Sequence, residues 1–224
     1  MSKLLPDFPA RERLKAVVSR ETLADLDTYV GLLQRWQARI NLIGPATEAQ
    51  IWERHIEDSL ALSEPLSGLG PEKTGVIADM GAGAGLPGIP LALHFRANQS
   101  IFVHLIDSNI KKAAFLREAL RALSLDGAVH HCRLEAVGPD TLSPNPQIIL
   151  ARALAPLHAL SEYARPWLEN GAIGLFLKGR HVENELAETV HDDELQYNTV
   201  SLDDLTGSSL VIVRKQEAQE QPNG

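Results

Sequence analysis

One short stretch, residues 79–90, combines an acid and a run of glycines in a way that suits ligand binding. It reads DMGAGAGLPGIP, with Asp79 at its start and four glycines within the next nine residues. Glycine lets the backbone turn tightly and approach a ligand without a Cβ atom in the way. A helix that follows such a turn offers free N–H groups to an anionic group. The stretch therefore predicts a loop whose backbone binds a ligand between a strand and a helix.

A second acid, Asp107, lies where the next strand is expected to end, and two ligand classes fit the pair of acids. Counted from Gly83, the glycines match the G-x-G-x-x-G fingerprint of dinucleotide-binding folds, with Asp107 near the position of the ribose-binding acid. Counted from Asp79, an acid followed by Gly-x-Gly-x-Gly resembles the first motif of class I S-adenosylmethionine (AdoMet) methyltransferases. Pro87, in the presumed first helical turn, fits a dinucleotide loop poorly. A turn that binds nothing is the third interpretation, which the glycines and the two acids disfavour.

The resemblance to methyltransferases gives these residues roles on AdoMet. It implies that the loop, including Gly81 and Gly83, passes close to the methionine part, while Asp79 fixes the ammonium group directly or through water. It also implies that Asp107 accepts the two ribose hydroxyls and that residues 133–135 border the adenine. Ligands of open α/β sheets bind beyond the carboxyl ends of the strands. All these residues are therefore expected at one edge of a sheet.

The elements that would hold these residues alternate between strands and helices from residue 75 onward. Strands are predicted at 75–80, 100–107, 128–135, 146–153 and 172–179, and helices at 109–123 and 156–169. This alternation is typical of a mostly parallel α/β sheet with helices on both faces, which is Rossmann-like. The last two strands, 195–202 and 208–215, are separated by a turn and predict a C-terminal antiparallel hairpin.

The chain before the sheet is predicted to be a small helical region. Apolar residues in 21–36 recur every three or four positions, the period of an amphipathic helix. A further helix over 47–65 is predicted from a possible capping box at Thr47 and Gln50 and from a stop at Pro65. We expect a helical extension (1–66), an AdoMet-dependent methyltransferase domain (67–216) and a disordered tail (217–224).

Composition and charge bound the location and the partners. No apolar run approaches the length of a membrane span. The apolar stretch within the first ten residues is too short for a signal peptide. The single cysteine, Cys132, cannot form an intrachain disulfide, which fits the cytoplasm. The net charge of −8 argues against nucleic acid, but eight acids lie within 183–204 and the rest of the chain is neutral overall. We interpret this acidic segment as a solvated face.

The motifs that the chain lacks reduce the kinds of atom that could accept the methyl group. Methylation of cytosine C5 requires a cysteine nucleophile, and Cys132 is predicted inside the third strand, away from the reaction. Exocyclic amines usually require an Asp/Asn-Pro-Pro-aromatic stretch after the fourth strand, where this chain has ARALAP (151–156). An acceptor with an available lone pair, such as guanine N7, requires only orientation against the sulfonium methyl.

Three basic residues near the predicted cleft favour RNA. Lys111 and Lys112 lie in the first turn of the helix after Asp107, where the helix dipole makes cations slightly unfavourable. Contact with RNA phosphates accounts for these two lysines about as well as ordinary exposure to solvent does. Arg152 ends the fourth strand and could touch AdoMet, a phosphate or guanine O6. A salt bridge from Arg152 to Asp79 or Asp107 is the alternative.

Six segments together resemble the RsmG/GidB family of bacterial AdoMet-dependent 16S rRNA methyltransferases. They are RHIEDSL (54–60), DMGAGAGLPGIPLAL (79–93), LIDSNIKKAAFLRE (105–118), CRLEA (132–136), ARALAPL (151–157) and FLKGR (176–180). Members modify N7 of a guanine in the decoding-region loop of 16S rRNA. The resemblance, which runs from about Tyr29 to Val213, implies a monomeric cytoplasmic enzyme that uses AdoMet and acts on 16S rRNA within the small ribosomal subunit.

The resemblance also implies which residues form the site. The family's cofactor-binding positions correspond to Gly81, Leu86, Leu134, Glu135 and Arg152, and its acid after the second strand to Asp107. Its RNA-associated basic residues correspond to Lys111, Lys112, Arg133, Arg152 and Lys178. The chain departs from the family at NLIG (41–44), where Asn-Leu-Thr is usual, and at Gln147, where aspartate is common. At 208–209 two serines replace a basic residue, which bears on one RNA contact.

His55 and Asp58 lie one helical turn apart and look like an acid–base pair. Methylation of N7 requires no general base, and His55 shares the apolar stripe of Ile51. We therefore interpret His55 as a hydrogen-bonded structural histidine that ties the N-terminal helices to the sheet. His130 and His131 are adjacent on a predicted strand and point to opposite faces, so no metal site is expected.

Overall fold

A computed structural model describes residues 9–68, 75–97, 100–179, 182–189, 192–203 and 208–216. The predicted disordered tail, 217–224, lies outside these residues. The strands are β1 (Val76–Met80), β2 (Phe102–Ile106), β3 (Gly127–His130), β4 (Ile148–Arg152), β5 (Ile173–Lys178), β6 (Leu195–Asp203) and β7 (Ser208–Lys215). They form one sheet in the order β3-β2-β1-β4-β5-β7-β6.

The direction of the strands agrees with the predicted fold class. β1 is parallel to β2 and β4, and β2–β3 and β4–β5 are parallel too. β7 is antiparallel to β5 and β6. The strands β1, β2 and β4 are almost wholly buried, as parallel strands covered on both faces must be. The mostly parallel sheet with a C-terminal antiparallel hairpin is confirmed.

The helices of the sheet region are α5 (Gly88–Phe95), α6 (Ile110–Leu123), α7 (Leu157–Leu168) and α8 (Val182–Thr189). The sequence patterns did not predict α8. They also predicted too long a third strand, because β3 ends at His130, opposite Ile106, where its one neighbouring strand also ends. A short 3₁₀ turn, Leu134–Ala136, follows instead. The chain therefore leaves the sheet just where the adenine-binding residues were predicted.

The N-terminal region contains α1 (Pro9–Leu14), α2 (Arg20–Gln37), α3 (Asp58–Leu60) and α4 (Ser63–Ser67). The predicted helix over 47–65 is not continuous, because a 3₁₀ turn, Pro45–Gln50, and a π-helical turn, Trp52–Glu57, precede α3. The predicted capping box is wrong: the Thr47 hydroxyl donates to Gly44 O at 3.0 Å instead of capping a helix. Pro65 lies inside α4 rather than ending it.

The N-terminal helices and one face of the sheet share a single apolar core. Its buried members include Leu26, Leu33, Trp52, Ile77, Leu105 and Phe115. The Tyr29 hydroxyl on α2 donates to Ala84 O at 2.5 Å, so α2 also supports the glycine loop. The division of the chain at residues 66 and 67 stays a prediction. Within the described ranges, no helix is both long and apolar enough to cross a membrane.

Candidate active site

A cleft of about 380 Å³ opens at the carboxyl edge of the sheet. Small-molecule sites commonly measure about 300–1,000 Å³, so the cleft is large enough for a cofactor. Its lining residues are Gly81, Ile106, Asp107, Ser108, Asn109, Lys112, Cys132, Arg133, Leu134, Glu135, Ala153, Leu154, Ala155 and Tyr163. They come from the ends of β1, β2, β3 and β4 and from α6 and α7.

The glycine loop after β1 forms one wall of this cleft. Gly81, Gly83 and Gly85 have φ angles of +64°, +57° and +81°, a region that residues with a Cβ rarely adopt. A Cβ atom at Gly81 would lie 2.5 Å from Leu154 Cδ1 on the opposite wall. Glycine at position 81 is thus required both by the turn and by the close approach of the two walls.

Asp107 fixes the glycine loop to the end of β2. Its Oδ2 accepts a hydrogen bond from Gly83 N at 2.9 Å, and its Oδ1 accepts one from Asn109 N at 2.7 Å. Each carboxylate oxygen has two lone pairs, so both oxygens keep one for a ligand in the cleft. Asn109 caps α6 by accepting from the backbone N–H groups of Lys111 and Lys112. One carboxylate therefore shapes the loop and also presents acceptors.

Asp79 lies beneath the loop and is completely buried. Its Oδ2 accepts from Gly88 N at 2.9 Å, whereas its Oδ1 has no hydrogen-bond partner among the described residues. Burial raises the pKa of Asp79 to about 7; Asp107 raises it too, and the Gly88 N–H and Arg152 act in the opposite direction. An unsatisfied buried acceptor costs about 1–3 kcal/mol. A ligand donor or cation that reached Oδ1 would remove this cost.

The opposite wall, residues 153–155, follows β4 and is held by β5 and α8. Lys178 donates from Nζ to Ala155 O at 2.9 Å and forms an ion pair with Glu185 at 2.6 Å. Glu185 also accepts from the backbone N–H of Leu157, the first residue of α7, at 2.6 Å. Glu185 therefore holds the end of the turn between β4 and α7, directly at Leu157 and through Lys178 at Ala155.

The acidic segment 183–204 is only partly the solvated face that its composition predicted. Besides Glu185, Asp192 forms an ion pair with Arg165 at 2.6 Å and has a side chain that is only 19% exposed. The prediction failed for these two acids because their partners lie on other elements, Lys178 on β5 and Arg165 on α7. Glu188 and Glu194 remain largely exposed.

Arg152, at the end of β4, contacts the N-terminal region. Its Nη2 donates to Arg54 O at 2.5 Å and to Asp58 Oδ2 at 3.2 Å. The alternative of a salt bridge to Asp79 or Asp107 is therefore wrong, since the carboxylate that pairs with Arg152 is that of Asp58. This contact links residues that are 94 positions apart in the chain.

His55 is hydrogen-bonded, as interpreted, but within the N-terminal region. Its Nε2 lies 2.8 Å from Thr47 Oγ1, and the same hydroxyl oxygen lies 3.0 Å from Gly44 O. Its Nδ1 is buried and has no partner among the described residues. Burial, with smaller effects from Arg152 and Arg54, lowers the pKa of His55 to about 4. The polar tie from this segment to the sheet is made by Asp58 rather than by His55.

Comparison with known proteins agrees with this arrangement. The model of the GidB family, rRNA small subunit methyltransferase G, matches residues 22–209. The chain belongs to this family. The ribosomal RNA small subunit methyltransferase G of Methylorubrum extorquens is 44% identical over 88% of this chain and 89% of its own length. The protein of the same name from a Bradyrhizobium species is 45% identical over 84% and 82%.

A solved structure identifies the fold class. An S-adenosylmethionine-dependent methyltransferase from Clostridium acetobutylicum superposes with a TM-score of 0.54 at 9% identity, covering 74% of this chain and 96% of that protein. Together with the strand order and directions, this likeness gives the chain the class I AdoMet-dependent methyltransferase fold.

The cleft brings together half of the residues that the motifs and the family resemblance predicted. These are Gly81, Asp107, Lys112, Arg133, Leu134 and Glu135. Asp79, Gly83, Leu86, Lys111, Arg152 and Lys178 do not line it. The Leu86 side chain is buried in the core beneath the loop, and Lys111 is exposed on the first turn of α6.

Several cleft residues were missed by reasoning from sequence. Asn109 had a usable signal, because an asparagine just before a helix is a common N-cap. Tyr163 had none: it comes from α7, and its hydroxyl donates to Glu135 Oε1 at 3.2 Å. Cys132 was placed inside a strand, which is wrong, because β3 ends at His130 and Cys132 lines the cleft. Burial raises the pKa of its thiol, which disfavours the thiolate that a nucleophile requires.

The histidines of β3 and β2 form a hydrogen-bonded pair. His130 Nε2 lies 2.9 Å from His104 Nδ1, and His104 Nε2 lies 2.8 Å from Pro144 O. Among the described residues, no group of three or more His, Cys, Asp or Glu side chains could hold a metal ion.

Proposed function

We propose that this protein transfers the methyl group of AdoMet to N7 of a guanine in the decoding-region loop of 16S rRNA. The observation that carries the proposal is the cleft itself, in a chain of the rRNA small subunit methyltransferase G family. There the left-handed loop at Gly81 faces Asp107, which keeps acceptor lone pairs free for a ligand. When bound, AdoMet supplies an electrophilic methyl group on a sulfonium.

The residues that line the cleft, together with Asp79 and Leu86 beneath it, fit the parts of AdoMet. The remaining lone pairs of Asp107 suit the two ribose hydroxyls, and the unpartnered Oδ1 of Asp79 suits the ammonium group. Leu134 and Glu135 line the part of the cleft beyond β3 and suit the adenine. Leu86 contributes through its backbone, because its side chain is turned into the core.

The chemistry available in the cleft favours an acceptor that is already nucleophilic. Cys132 has a raised thiol pKa, and the pKa of His55 is lowered to about 4, with its Nε2 hydrogen-bonded to Thr47 Oγ1. Neither group is equipped to activate a base. Guanine N7 carries a lone pair at neutral pH, so the protein has only to orient it, and orientation alone contributes much of the acceleration in such reactions.

Basic residues at the mouth of the cleft support an RNA substrate. Lys112 and Arg133 line the cleft, and Lys111 is exposed beside them; we assign them phosphate contacts. Lys178 is only 10% exposed and is paired with Glu185, so an RNA contact by Lys178 requires that ion pair to open. Ser208 and Ser209 lie on β7 at the same edge, because Lys178 pairs with Ser209.

We infer further that the enzyme acts as a monomer on the small subunit in the cytoplasm. The second candidate is an RNA-binding module that has lost catalysis, and the dinucleotide interpretation of the loop is the third. Calorimetric titration with AdoMet and with NADH separates the third from the first, because tight NADH binding without AdoMet binding contradicts our proposal.

Transfer of labelled methyl groups tests catalysis. Small subunits and naked 16S rRNA from a strain that lacks the homologous gene are incubated with this protein and labelled AdoMet. We expect incorporation into the RNA of the small subunit. Binding to the subunit without incorporation contradicts our proposal and favours the RNA-binding module.

A further inference from the structure

The π-helical turn Trp52–Glu57 lies against the carboxyl end of β4. Such turns are rare and often occur at functional sites. This one is followed at once by Asp58, the first residue of α3. We call the Arg54 carbonyl and the Asp58 carboxylate the Arg152 clamp, because both accept hydrogen bonds from the Arg152 guanidinium.

The hydrogen bond made by the Asp58 N–H explains how a backbone carbonyl takes part in the clamp. In a regular α-helix, Arg54 O would accept from the N–H of residue 58. Here the Asp58 N–H bonds to His55 O instead, and Arg54 O accepts from Arg152 Nη2 at 2.5 Å. The Asp58 carboxylate reaches the same Nη2 at 3.2 Å. A backbone acceptor and a charged acceptor therefore orient one guanidinium nitrogen.

The clamp leaves Nη1 of the guanidinium without a partner among the described residues. The Arg152 side chain is 19% exposed, and its Nη1 is buried. Burial lowers the pKa of Arg152, whereas Asp58 is the strongest influence that raises it. Removing one partner of a buried charge pair leaves an uncompensated charge, so Asp58 is what permits a guanidinium here.

The position of Arg152 connects the clamp to the cofactor. Arg152 immediately precedes the cleft wall 153–155 and is close enough to Asp79 to oppose the rise in the pKa of that carboxyl. Asp79 Oδ1 is an unpartnered acceptor and Arg152 Nη1 an unpartnered donor, both buried. A ligand that carries both an ammonium and a carboxylate, as the methionine part of AdoMet does, would satisfy the two atoms together.

We propose that Asp58, with the Arg54 carbonyl, is a positioning element that aims Arg152 at the methionine end of the cleft. The N-terminal region is then part of the active site and not only a packing extension. This inference rests on the proposed function, because it assumes that the cleft binds AdoMet. Asp58 itself does not touch the cofactor; it acts through Arg152.

The test compares two ion pairs whose carboxylates both lie in the N-terminal region. Asp58→Asn removes the charged half of the clamp. Asp27→Asn is the matched control, because Asp27 pairs with Arg11 at 2.6 Å and is similarly exposed, at 26% against 20%, away from the cleft. Isothermal titration gives the Kd for AdoMet, steady-state kinetics give KM for AdoMet and for small subunits, and thermal unfolding gives Tm.

We expect Asp58→Asn to raise the Kd and the KM for AdoMet about tenfold, while the KM for small subunits changes less than twofold. Asp27→Asn should lower Tm by a similar amount but leave the Kd for AdoMet within twofold. Asp58→Glu, which keeps the charge, should recover part of the affinity. An unchanged Kd in folded Asp58→Asn, or an equal loss in Asp27→Asn, overturns the proposal.

A double-mutant cycle tests whether Asp58 acts through Arg152. In an Arg152→Met background, Asp58→Asn should cause less than a twofold further loss of AdoMet affinity. A full tenfold further loss overturns the positioning role. If Asp58→Asn does not fold, Asp58→Glu supplies the same cycle. If the cleft does not bind AdoMet, the unmodified protein itself shows no binding. If only the assignment to guanine N7 is wrong, AdoMet binds and the methylated nucleoside differs, so both failures are distinct from the results above.

Discussion

The two walls of the cleft are held in different ways. The glycine wall, residues 79–88, is shaped by the conformation of its own backbone, with three left-handed glycines, and neutral or charged side chains hydrogen-bond to that backbone: Asp107 at Gly83 N and Tyr29 at Ala84 O. The β4 wall, residues 153–155, is fixed through its flanking residues by side chains from elsewhere in the chain. Asp58 contacts Arg152 at its start, and Glu185 contacts Leu157 at its end.

This difference determines which substitutions would disrupt each wall. The glycine wall depends on the absence of side chains at its left-handed positions, where a Cβ at Gly81 or Gly85 would lie 2.5 Å or less from a neighbouring side chain. The β4 wall depends on charged groups that are partly removed from water, and the loss of one partner leaves the other charge uncompensated. Ala153, which has a φ of +49° without being glycine, shows that the β4 wall also holds an unfavourable backbone conformation in place.

The largest effect is expected from a side chain in the glycine wall. Gly81→Leu places atoms where Leu154 now lies, whereas Gly171→Leu meets a similar positive φ of +88° with no atom within 4 Å of its Cβ. Both substitutions should cost about 1–2 kcal/mol of unfolding free energy for the left-handed backbone. Only Gly81→Leu should weaken AdoMet binding, by at least about 100-fold or about 2.8 kcal/mol.

Urea unfolding and calorimetric titration of the two variants provide the measurement. Unchanged AdoMet affinity in folded Gly81→Leu would show that the cofactor does not lie against this loop. Equal losses of affinity in both variants would trace the effect to general destabilisation.

A moderate effect is expected from the titration of Asp79. Its pKa of about 7 lies above the ordinary value of 3.8, so the unliganded protein holds a proton that an ammonium ligand would displace. AdoMet affinity should rise about fivefold between pH 6 and 7, as the ionised fraction grows. Titrations in buffers of different ionisation enthalpy would detect the released proton, and Asp79→Asn should abolish the dependence. A flat profile in this window contradicts the ammonium assignment.

The same shift has a defined sign for stability. Because the pKa in the folded state is raised, the folded protein binds the proton more tightly than the unfolded chain does. Asp79 therefore stabilises the fold fully below about pH 4, and this contribution is lost as the pH rises towards 7. His55, whose pKa is lowered to about 4, acts in the opposite direction between about pH 4 and 6.5.

The smallest effect is expected at the far end of the β4 wall. Glu185→Gln removes the charge that pairs with Lys178 but keeps an acceptor for Leu157 N. The free energy of unfolding should fall by about 1–3 kcal/mol, and AdoMet affinity should fall about threefold as the wall loosens. Glu188→Gln on the same helix is the control, because Glu188 is 64% exposed and 3.6 Å from His158. Identical behaviour of the two variants would show that Glu185 does not support the wall.

The sequence predicted the glycine wall well because its determinants are local. Strand, acid and glycines are contiguous, and Asp107 follows the next strand, so spacing alone placed them at one sheet edge. The complete burial of Asp79 was not predicted, because it depends on α5 packing over it through Gly88. The extent of β3 was not predicted either, because it depends on where the neighbouring strand β2 ends. Since β3 ends there, Cys132 lies outside the strand and lines the cleft.

The sequence predicted the β4 wall poorly because its contacts are not local. Arg152 was considered as a partner of Asp79 or Asp107, yet its partner Asp58 lies 94 residues away on a short helix. A pattern of six residues cannot distinguish a π-helical turn from an α-helix, so the orientation of Arg54 O was not predictable. Lys178 was assigned to RNA without any signal that α8 would supply Glu185.

The central claim is that the cleft directs a methyl group to N7 of one guanine. Small subunits from a strain without the homologous gene are incubated with this protein and AdoMet, and nucleosides and RNA fragments are analysed by mass spectrometry. The account predicts 7-methylguanosine at a single position in the decoding-region loop of 16S rRNA, and none with Gly81→Leu. Methylation at another atom or in another RNA, or no methylation, would contradict it.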